Sequence, residues 1–451
     1  MTKAPAGLAA RAVAADALAA ILDRRRPLEE AFAAAPGYGA LEARDRAFAR
    51  LLLATTLRRL GQIDAMIKHC LERPLPRAAR MAQHILRLGA AQLMFLGTPA
   101  HAAVSAAVDH ADAAKLTAHK KLINAVLRRI AREGEELRDA QDEARLNTPA
   151  WLWDSWVGAY GEATARAIAT AHLAEPPLDI TLMPDEPANE WAERLEAALL
   201  PSGSLRRAAN LSGAIADLPG YAEGRWWVQD AAATLPAKLL LSALARTDAP
   251  RIADLCAAPG GKTAQLAAAL APRAAARLIA LDIGAGRLVR LRENLARLKL
   301  TAEIVQGDAG EWRPDTPLDG ILLDAPCSAT GTIRRHPDIL RAKRPDDVAK
   351  LGPVQDRLLA HALSLLKPGG VLVYAVCSLE PAEGPERIAA LLRADPALER
   401  LPVAPAEIGG LDALITKKGD LRTLPSQSAD PARPALGGFD GFYAARLRKT
   451  A

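Results

Sequence analysis

Apolar residues recur every three or four positions through the first 140 residues, and no segment there alternates as a strand would. Breaks containing proline or glycine separate the periodic stretches, at Arg26-Pro27, Pro36-Gly37, Pro74-Leu-Pro76 and Gly97-Thr-Pro99. The pattern predicts an all-α domain over residues 1–140. The charged stretch Glu133–Arg145 predicts a helical linker after it.

The middle of the chain, residues 148–245, mixes two kinds of pattern. Helical spacing covers Gly161–Leu173 and Asn189–Leu200, and short extended pieces lie around Leu178–Met183 and Arg225–Gln229. This predicts a small α+β subdomain.

From residue 246 to 451, strand and helix patterns alternate. Apolar runs predict six strands, at Ile252–Cys256, Leu278–Asp282, Glu303–Gln306, Gly320–Asp324, Val371–Val376 and Phe442–Leu447. Helices are predicted between them, at Ala264–Leu270, Arg287–Leu298 and Val354–Leu366. The fold class is therefore α/β, with a Rossmann-like doubly wound sheet and a ligand site at the carboxyl ends of its strands.

Length and charge add a domain count and a class of partner. A chain of 451 residues predicts two or three domains. No apolar run reaches the ~18 residues of a membrane span, so we expect a cytoplasmic protein without a membrane partner. Residues 1–140 hold 22 Lys and Arg against 14 Asp and Glu, whereas the remainder holds 36 against 38. A basic excess confined to one domain indicates binding to nucleic acid.

The four cysteines, Cys70, Cys256, Cys327 and Cys377, lie far apart in the sequence and form no Cys-x-x-Cys pair. No group of histidines accompanies them, so no metal site is predicted. Cytosolic thiols stay reduced.

The stretch Asp254-Leu-Cys-Ala-Ala-Pro-Gly-Gly-Lys-Thr263 joins a predicted strand to a predicted helix. Glycines in such a turn bring bare backbone and a helix N-terminus close to a ligand. Predicted cofactor contacts are therefore Cys256, Ala257, Ala258, Pro259, Gly260, Gly261 and Lys262. Acids end the next three strands: Asp282, 22 residues after Gly260 and suited to ribose hydroxyls, then Asp308, suited to an adenine amino group, and Asp324.

A P-loop NTPase is the competing interpretation of this loop. Gly261-Lys-Thr263 matches the end of a Walker A motif, and Ile321-Leu-Leu-Asp324 is compatible with Walker B. The first glycine of Walker A would have to be residue 256, which is Cys. The sequence therefore disfavours a phosphate cradle.

Two cysteines follow adjacent predicted strands, in Asp324-Ala-Pro-Cys327 and Val376-Cys-Ser-Leu379. Two thiols and an aspartate at one sheet edge suit methylation of cytosine C5, in which a thiolate first adds to C6 and makes C5 nucleophilic. Asp324 can then bond the N3/N4 edge of the base. The residues alone do not say which thiol attacks.

Together these motifs resemble the RNA cytosine-C5 methyltransferases of the RsmB/NOP class. The N-terminal motifs resemble the NusB-like RNA-binding domain: Leu41-Glu-Ala-Arg-Asp-Arg46, Leu86-Arg-Leu-Gly89, Thr98-Pro-Ala-His101 and Asn124-Ala-Val-Leu-Arg128. The resemblance implies S-adenosyl-L-methionine as cofactor and a cytosine of 16S rRNA, free or in an early small-subunit precursor, as substrate. It also implies a monomer and an RRM-like middle subdomain. The rival class is a non-catalytic RNA-binding factor of the same fold, which the two cysteines disfavour.

The resemblance also implies individual roles. Cys377 becomes the nucleophile, and Cys327 assists product release. The basic loop Arg334, Arg335 and His336 is expected to bind the RNA backbone, and Phe439-Asp-Gly-Phe442 to be structural. The chain departs from the family at Val376, where Thr is usual, and at Ile180-Thr-Leu-Met183, near which the family has Arg-Val-Asn.

Overall fold

The computed structural model describes residues 7–209 and 214–450. The first residues of the predicted all-α domain, 1–6, and the last residue of the predicted α/β domain, 451, lie outside these ranges. In chain order the helices are α1 Leu8–Arg24, α2 Leu28–Ala33, α3 Ala43–Arg58, α4 Leu60–Cys70, α5 Arg80–Phe95, α6 Ala100–Ala113, α7 Lys120–Asp139, α8 Glu143–Asn147, α9 Ala150–Tyr160, α10 Glu162–Ala171, α11 Ala188–Arg194, α12 Ala231–Ala243, α13 Gly261–Leu270, α14 Ala285–Leu298, α15 Ile339–Ala342, α16 Pro345–Ser364 and α17 Pro385–Ala394. The strands are β1 Leu178–Leu182, β2 Ala197–Leu199, β3 Leu205–Arg207, β4 Trp226–Val228, β5 Arg251–Leu255, β6 Arg277–Asp282, β7 Glu303–Gln306, β8 Leu318–Asp324, β9 Leu366–Val376, β10 Leu398–Arg400, β11 Leu421–Thr423 and β12 Phe442–Lys449.

The chain divides into two compact units. The helical unit runs up to Ala174 and also contains Ile333–Arg344. The sheet unit comprises Glu175–Thr332 and the chain from Pro345 onward. The predicted middle subdomain, residues 148–245, is thus divided, because α9 and α10 belong to the helical unit.

The helical unit confirms the predicted all-α N-terminus. Its longest helix, α7, buries Ile123, Val126, Leu127 and Ile130, the apolar stripe of an amphipathic helix. Gly89 of α5 permits a close approach to α7, since an added Cβ would lie 2.6 Å from a Leu127 methyl. The charged stretch around residue 140 completes α7 and forms α8 rather than a separate linker.

The segment Ile333–Arg344 is anchored inside the helical unit by polar contacts. The Leu28 amide donates to the Asp338 carboxylate at 3.0 Å, and the Arg58 guanidinium donates to the Arg334 carbonyl at 3.0 Å. Arg341 donates to the carbonyl of Asn147 at 3.1 Å. These contacts explain why this distant stretch of sequence joins the helices.

The first sheet of the sheet unit is antiparallel, in the order β2-β3-β1-β4. Its hairpin corrects one prediction: the helix expected over Asn189–Leu200 ends at Arg194, and Ala197–Leu199 forms β2 instead. Leu199 pairs with Leu205 across a turn at Gly203, whose φ of +86° suits glycine. This sheet gives the start of the unit its α+β character.

The second sheet confirms the six predicted strands and the Rossmann-like fold. Its order is β7-β6-β5-β8-β9-β12-β10, with β11 also pairing with β12. Strands β5 to β9 are parallel, and β12 runs antiparallel to β9. Apolar side chains of α12, α13 and α14 cover one face, and those of α16 cover the other. The chain order reverses between β5 and β8, the point at which ligands bind to such sheets.

No helix in the described ranges is both long and apolar enough to cross a membrane.

Candidate active site

The loops after β5, β6, β8 and β9 meet at one edge of the parallel sheet. The carboxyl ends of these strands lie side by side, because Leu255 pairs with both Leu281 and Leu323, and Asp324 pairs with Ala375. The predicted glycine loop, Asp282, Asp324 and both cysteines therefore share this edge.

The loop from β5 into α13 brings bare backbone to the edge. Gly260 has φ of +103°, and an added Cβ would lie 2.9 Å from Leu291 Cγ, so only glycine fits here. Gly261 opens α13 and leaves the amides of its first turn without helical acceptors. Burial raises the pKa of the Cys256 thiol to about 12, which keeps this third cysteine of the site protonated.

Asp254, at the base of the loop, ties β5 to α13. Thr263 Oγ1 donates to its carboxylate at 2.6 Å. Burial raises the pKa of Asp254 to about 7 despite this hydrogen bond. The second oxygen of the carboxylate has no hydrogen-bond partner among the described residues.

Asp282 ends β6 with a fully buried side chain. Its carboxylate accepts from the amides of Ala258 at 3.2 Å and Gly284 at 2.8 Å, and forms an ion pair of 2.8 Å with Arg287. These contacts fix the carboxylate against the glycine loop.

The residue after Asp282, Ile283, has a large apolar side chain that is 63% exposed. The sequence analysis did not identify Ile283 as part of the site.

Asp308 follows β7 and is already paired. Its carboxylate accepts from the Gly310 amide at 2.7 Å and from Arg357 at 3.0 and 3.2 Å. The Gly310 amide and then Arg357 hold the pKa of Asp308 below its ordinary value. An adenine amino group would share this carboxylate with Arg357.

Lys262 and Asp324 form an ion pair of 2.7 Å at the centre of the site. The ammonium also lies 5.1 Å from the centre of the Phe442 ring. Burial alone would lower the pKa of Lys262, but the Asp324 carboxylate outweighs burial and raises it. Lys262 is therefore a fixed positive charge.

The two cysteines predicted to act together are in contact, with their Sγ atoms 3.4 Å apart. The contact with Cys377 and burial raise the pKa of Cys327 well above its ordinary value. At this separation either thiol can donate a hydrogen bond to the other sulfur. The loop that carries Cys327 is held close to Cys377, because the Gly331 amide donates to the Cys377 carbonyl at 3.0 Å.

The motif Phe439–Phe442 packs against the loop that carries Cys327. The Gly441 amide donates to the Gly331 carbonyl at 2.8 Å, and an added Cβ on Gly331 would lie 1.8 Å from the Gly441 carbonyl oxygen. Phe439 is fully buried. These contacts agree with a structural role for the motif.

A buried carboxylate beneath the cysteines, Glu383, was not found by sequence reasoning. It binds the serines that follow each cysteine, Ser328 and Ser378. The repeated Cys-Ser dipeptide was the available signal, but nothing in the local sequence points to Glu383 as its partner.

The basic loop expected to bind RNA is part of the helical unit. Arg334 is only 4% exposed, so the structure corrects the expectation that its guanidinium meets a phosphate. Two hydrogen bonds hold its loop against the helices: Arg58 donates to the Arg334 carbonyl, and the Leu28 amide donates to Asp338. Arg335 and His336 retain partial exposure.

No group of three or more His, Cys, Asp or Glu side chains within residues 7–209 and 214–450 is arranged to hold a metal ion.

Two family models match the chain. The model described as "16S rRNA methyltransferase RsmB/F" matches residues 241–448, and that of the NusB family matches residues 8–132. The first range contains every residue of the candidate site described above.

Among curated proteins, the chain is 38% identical to a protein named ribosomal RNA small subunit methyltransferase B from Serratia proteamaculans, over 85% of this chain and 90% of that protein. It is 37% identical to the protein of that name from Pseudomonas putida, over 98% of each.

Solved structures agree on the fold. A methyltransferase homologue from Pyrococcus horikoshii has a TM-score of 0.51 at 27% identity, covering 70% of this chain and 98% of that one. NSun6 from Pyrococcus horikoshii, crystallised with SFG, has a TM-score of 0.55 at 19% identity, covering 67% and 98%.

Proposed function

The chain belongs to the RsmB/F family of 16S rRNA methyltransferases, and we propose that it transfers a methyl group from S-adenosylmethionine to C5 of a cytosine in 16S rRNA. The observation that carries this proposal is the contact of the Cys327 and Cys377 sulfurs beside the Lys262–Asp324 pair. A non-catalytic RNA-binding factor would have no need for two thiols held at a cofactor edge.

The residues at the edge fit an adenosyl cofactor. Gly260 and Gly261 place bare backbone at the N-terminus of α13, and Asp282 presents a fixed carboxylate suited to ribose hydroxyls. The exposed Ile283 offers an apolar contact for an adenine ring. The other expected contacts are the backbone of Cys256–Pro259, with Asp308 at the adenine edge. When bound, the cofactor supplies an electrophilic methyl group on a sulfonium.

Cys377 is the proposed nucleophile. Its sulfur adds to C6 of the flipped-out cytosine, forming a C–S bond and placing the electron pair at C5. Lys262 interacts electrostatically with this sulfur. The contact with Cys377, followed by burial, raises the pKa of Cys327.

Asp324 orients the base, and the Lys262–Asp324 pair sets the charge around it. The carboxylate accepts from the N4 amino group, and the ammonium offsets negative charge that develops on the ring. After C5 has accepted the methyl group, a water molecule takes the C5 proton, the electrons of the C5–H bond re-form the C5=C6 double bond, and the C6–S bond breaks, which returns the Cys377 thiolate. Cys327, 3.4 Å from that sulfur, assists this elimination.

The finer assignments are also part of the proposal. We infer that the substrate is free 16S rRNA or an early precursor of the small subunit, and that the enzyme acts as a cytoplasmic monomer. RNA affinity is assigned chiefly to the helical unit, on the basic excess of residues 1–140. Arg335 and His336 remain candidate contacts, whereas Arg334 does not.

The test uses the purified full chain, labelled cofactor and 16S rRNA, as naked RNA and within assembled small subunits. Mass spectrometry of nuclease fragments locates the methyl group. We expect 5-methylcytosine at one position, formed faster on naked RNA. Binding of RNA without methyl transfer, under conditions in which the cofactor binds, would favour the non-catalytic factor.

A further inference from the structure

Both catalytic loops continue into a buried hydrogen-bond network that the proposed mechanism does not use. Ser328 follows Cys327, Ser378 follows Cys377, and both serines are fully buried. Their hydroxyl oxygens lie 3.2 Å apart. The two cysteines thus sit above two serines in the same order on adjacent loops.

One carboxylate receives both serines. Glu383 Oε2 accepts from the hydroxyls of Ser328 and Ser378, each at 2.5 Å. Glu383 Oε1 accepts from the Ser328 amide at 2.9 Å and from the Gln355 side-chain amide at 3.2 Å. A carboxylate has about four acceptor sites. All of them are used here, and Glu383 itself has no exposure to solvent.

The carboxylate is itself held in place. The Tyr374 hydroxyl donates to the Glu383 carbonyl at 2.6 Å. Gln355 also donates to the Pro326 carbonyl, next to Cys327, at 2.9 Å. Arg422 donates to the Ser378 carbonyl at 2.6 Å. Glu383 is therefore the fixed point to which both cysteine loops are attached.

We propose that Glu383 is a positioning residue that holds Cys327 and Cys377 in mutual register, so that one thiol attacks the base and the other completes its release. This inference rests on the proposed function. A buried carboxylate whose acceptor sites are all filled holds its donors rigidly, and a displacement of about 1 Å in a reacting group can cost about a hundredfold in rate. The negative charge of Glu383 also contributes to the raised pKa of Cys327.

The first variant is Glu383→Gln, which keeps the side-chain shape but replaces one acceptor oxygen by a donor. We expect the methyl-transfer kcat to fall at least tenfold while cofactor affinity, measured by calorimetry, is unchanged. Glu383→Asp keeps the charge but is one methylene too short to reach both serines, so it should rescue little. Ser378→Ala removes one of the four donors and should show a smaller loss, which tests the network if Glu383→Gln folds poorly.

The control is Glu407→Gln. Glu407 is a carboxylate of the same unit that binds Arg446 and the Ala404 amide, away from the cysteine loops. The substitution should lower the melting temperature with little effect on kcat. Equal kcat losses in the two Glu→Gln variants would mean that Glu383 acts only through stability, and would overturn the inference.

A second readout needs no activity. Alkylation of Cys327 by iodoacetamide, followed by peptide mass spectrometry, is measured against pH in a Cys377→Ala background. Removing the Glu383 charge should lower the pKa of Cys327, so the alkylation profile shifts to lower pH. If the wild-type enzyme methylates, an unchanged kcat in Glu383→Gln refutes the positioning role of Glu383. If the wild-type enzyme does not methylate, the proposed function fails, and an unchanged alkylation profile refutes the role of Glu383 separately.

Discussion

The Sγ atom of Cys327 lies 3.4 Å from the Sγ atom of Cys377, although the two residues are 50 positions apart in the sequence. Parallel pairing of β8 with β9 brings them together. Their contact, followed by burial, raises the pKa of Cys327. The two thiols therefore share one site, although the proposed mechanism gives them different roles.

The different roles proposed for the two thiols predict different failures for the two alanine variants. Cys377→Ala removes the attacking sulfur, so neither a covalent adduct nor methyl transfer is expected. Cys327→Ala leaves attack intact but slows elimination, so a protein–RNA adduct that survives denaturation should accumulate. Denaturing gels with labelled RNA measure both. An adduct formed by Cys377→Ala would reverse the assignment.

The same distance predicts sensitivity to thiol oxidants. Disulfide sulfurs lie about 2.05 Å apart, so a small movement of either loop is enough to join these two. The diazene oxidant diamide should take up the two hydrogens, link Cys327 to Cys377 and abolish methyl transfer until dithiothreitol is added. Non-reducing peptide mapping identifies the bond. The Cys327→Ala variant is the control and should form no such cross-link.

Asp282 is expected to govern cofactor affinity. Asp282→Ala removes a buried acceptor, so S-adenosylmethionine binding should weaken by about 1–3 kcal/mol in calorimetry. Asp319→Asn is the matched control, because Asp319 binds the Arg251 amide at the opposite ends of the strands. Tight ATP binding by the wild type, without binding of S-adenosylmethionine, would instead revive the P-loop interpretation.

The helical unit should supply the salt-dependent part of RNA binding. Lys121, Arg128 and Arg132 are exposed on α7, and the two arginines line a cavity of about 570 Å³ between α6 and α7. Changing all three to Gln should weaken rRNA binding and reduce the slope of log K against log salt by up to about 0.9 for each phosphate that is no longer neutralised. The control changes the exposed Arg277, Lys417 and Lys418 of the sheet unit, and an equal weakening there would contradict the assignment.

His172 predicts a pH dependence of stability in the helical unit. Burial, with Arg334 and Arg58 nearby, lowers its pKa from 6.5 to about 3, and neither ring nitrogen has a hydrogen-bond partner among the described residues. The folded pKa lies below the unfolded one, so this contribution is complete above pH 6.5 and is lost as pH falls towards 3. By pH 5 the loss of stability amounts to about 2 kcal/mol.

The measurement compares denaturant unfolding of the wild type and His172→Phe at pH 7.5 and pH 5. Phe can keep the edge-to-face contact with Trp156. The difference in free energy of unfolding between the two proteins should change by about 2 kcal/mol in favour of the variant at pH 5. The exposed His101→Gln is the control and should show no such change.

Sequence reasoning succeeded where local pattern determines structure. The apolar runs ending at Asp282 and Asp324 are buried parallel strands, and such strands can be identified from their own residues. The helix predicted over Asn189–Leu200 was wrong in its second half, because pairing of Leu199 with Leu205 overrides the helix preference of alanine and leucine.

The remaining differences are long-range. The residues around Arg334 have the local composition of an exposed basic loop. The position of Arg334 nevertheless depends on Arg58, which lies 276 residues earlier in the chain. Glu383 reads as an ordinary helix-start acid, and only the folded loops bring Ser328 to it. Neither contact leaves a periodicity or motif in the sequence.

Inclusion of Ile333–Arg344 in the helical unit has a consequence for biosynthesis. The helices up to Ala174 leave the ribosome first, but Leu28, Arg58 and Asn147 must wait for partners that are translated only after Glu175–Thr332. The helical unit therefore cannot reach its final state as an independent early folding unit. Its completion is delayed until most of the second half has been made, so a nascent chain stalled before residue 344 should remain more protease-sensitive in its helices than the finished protein.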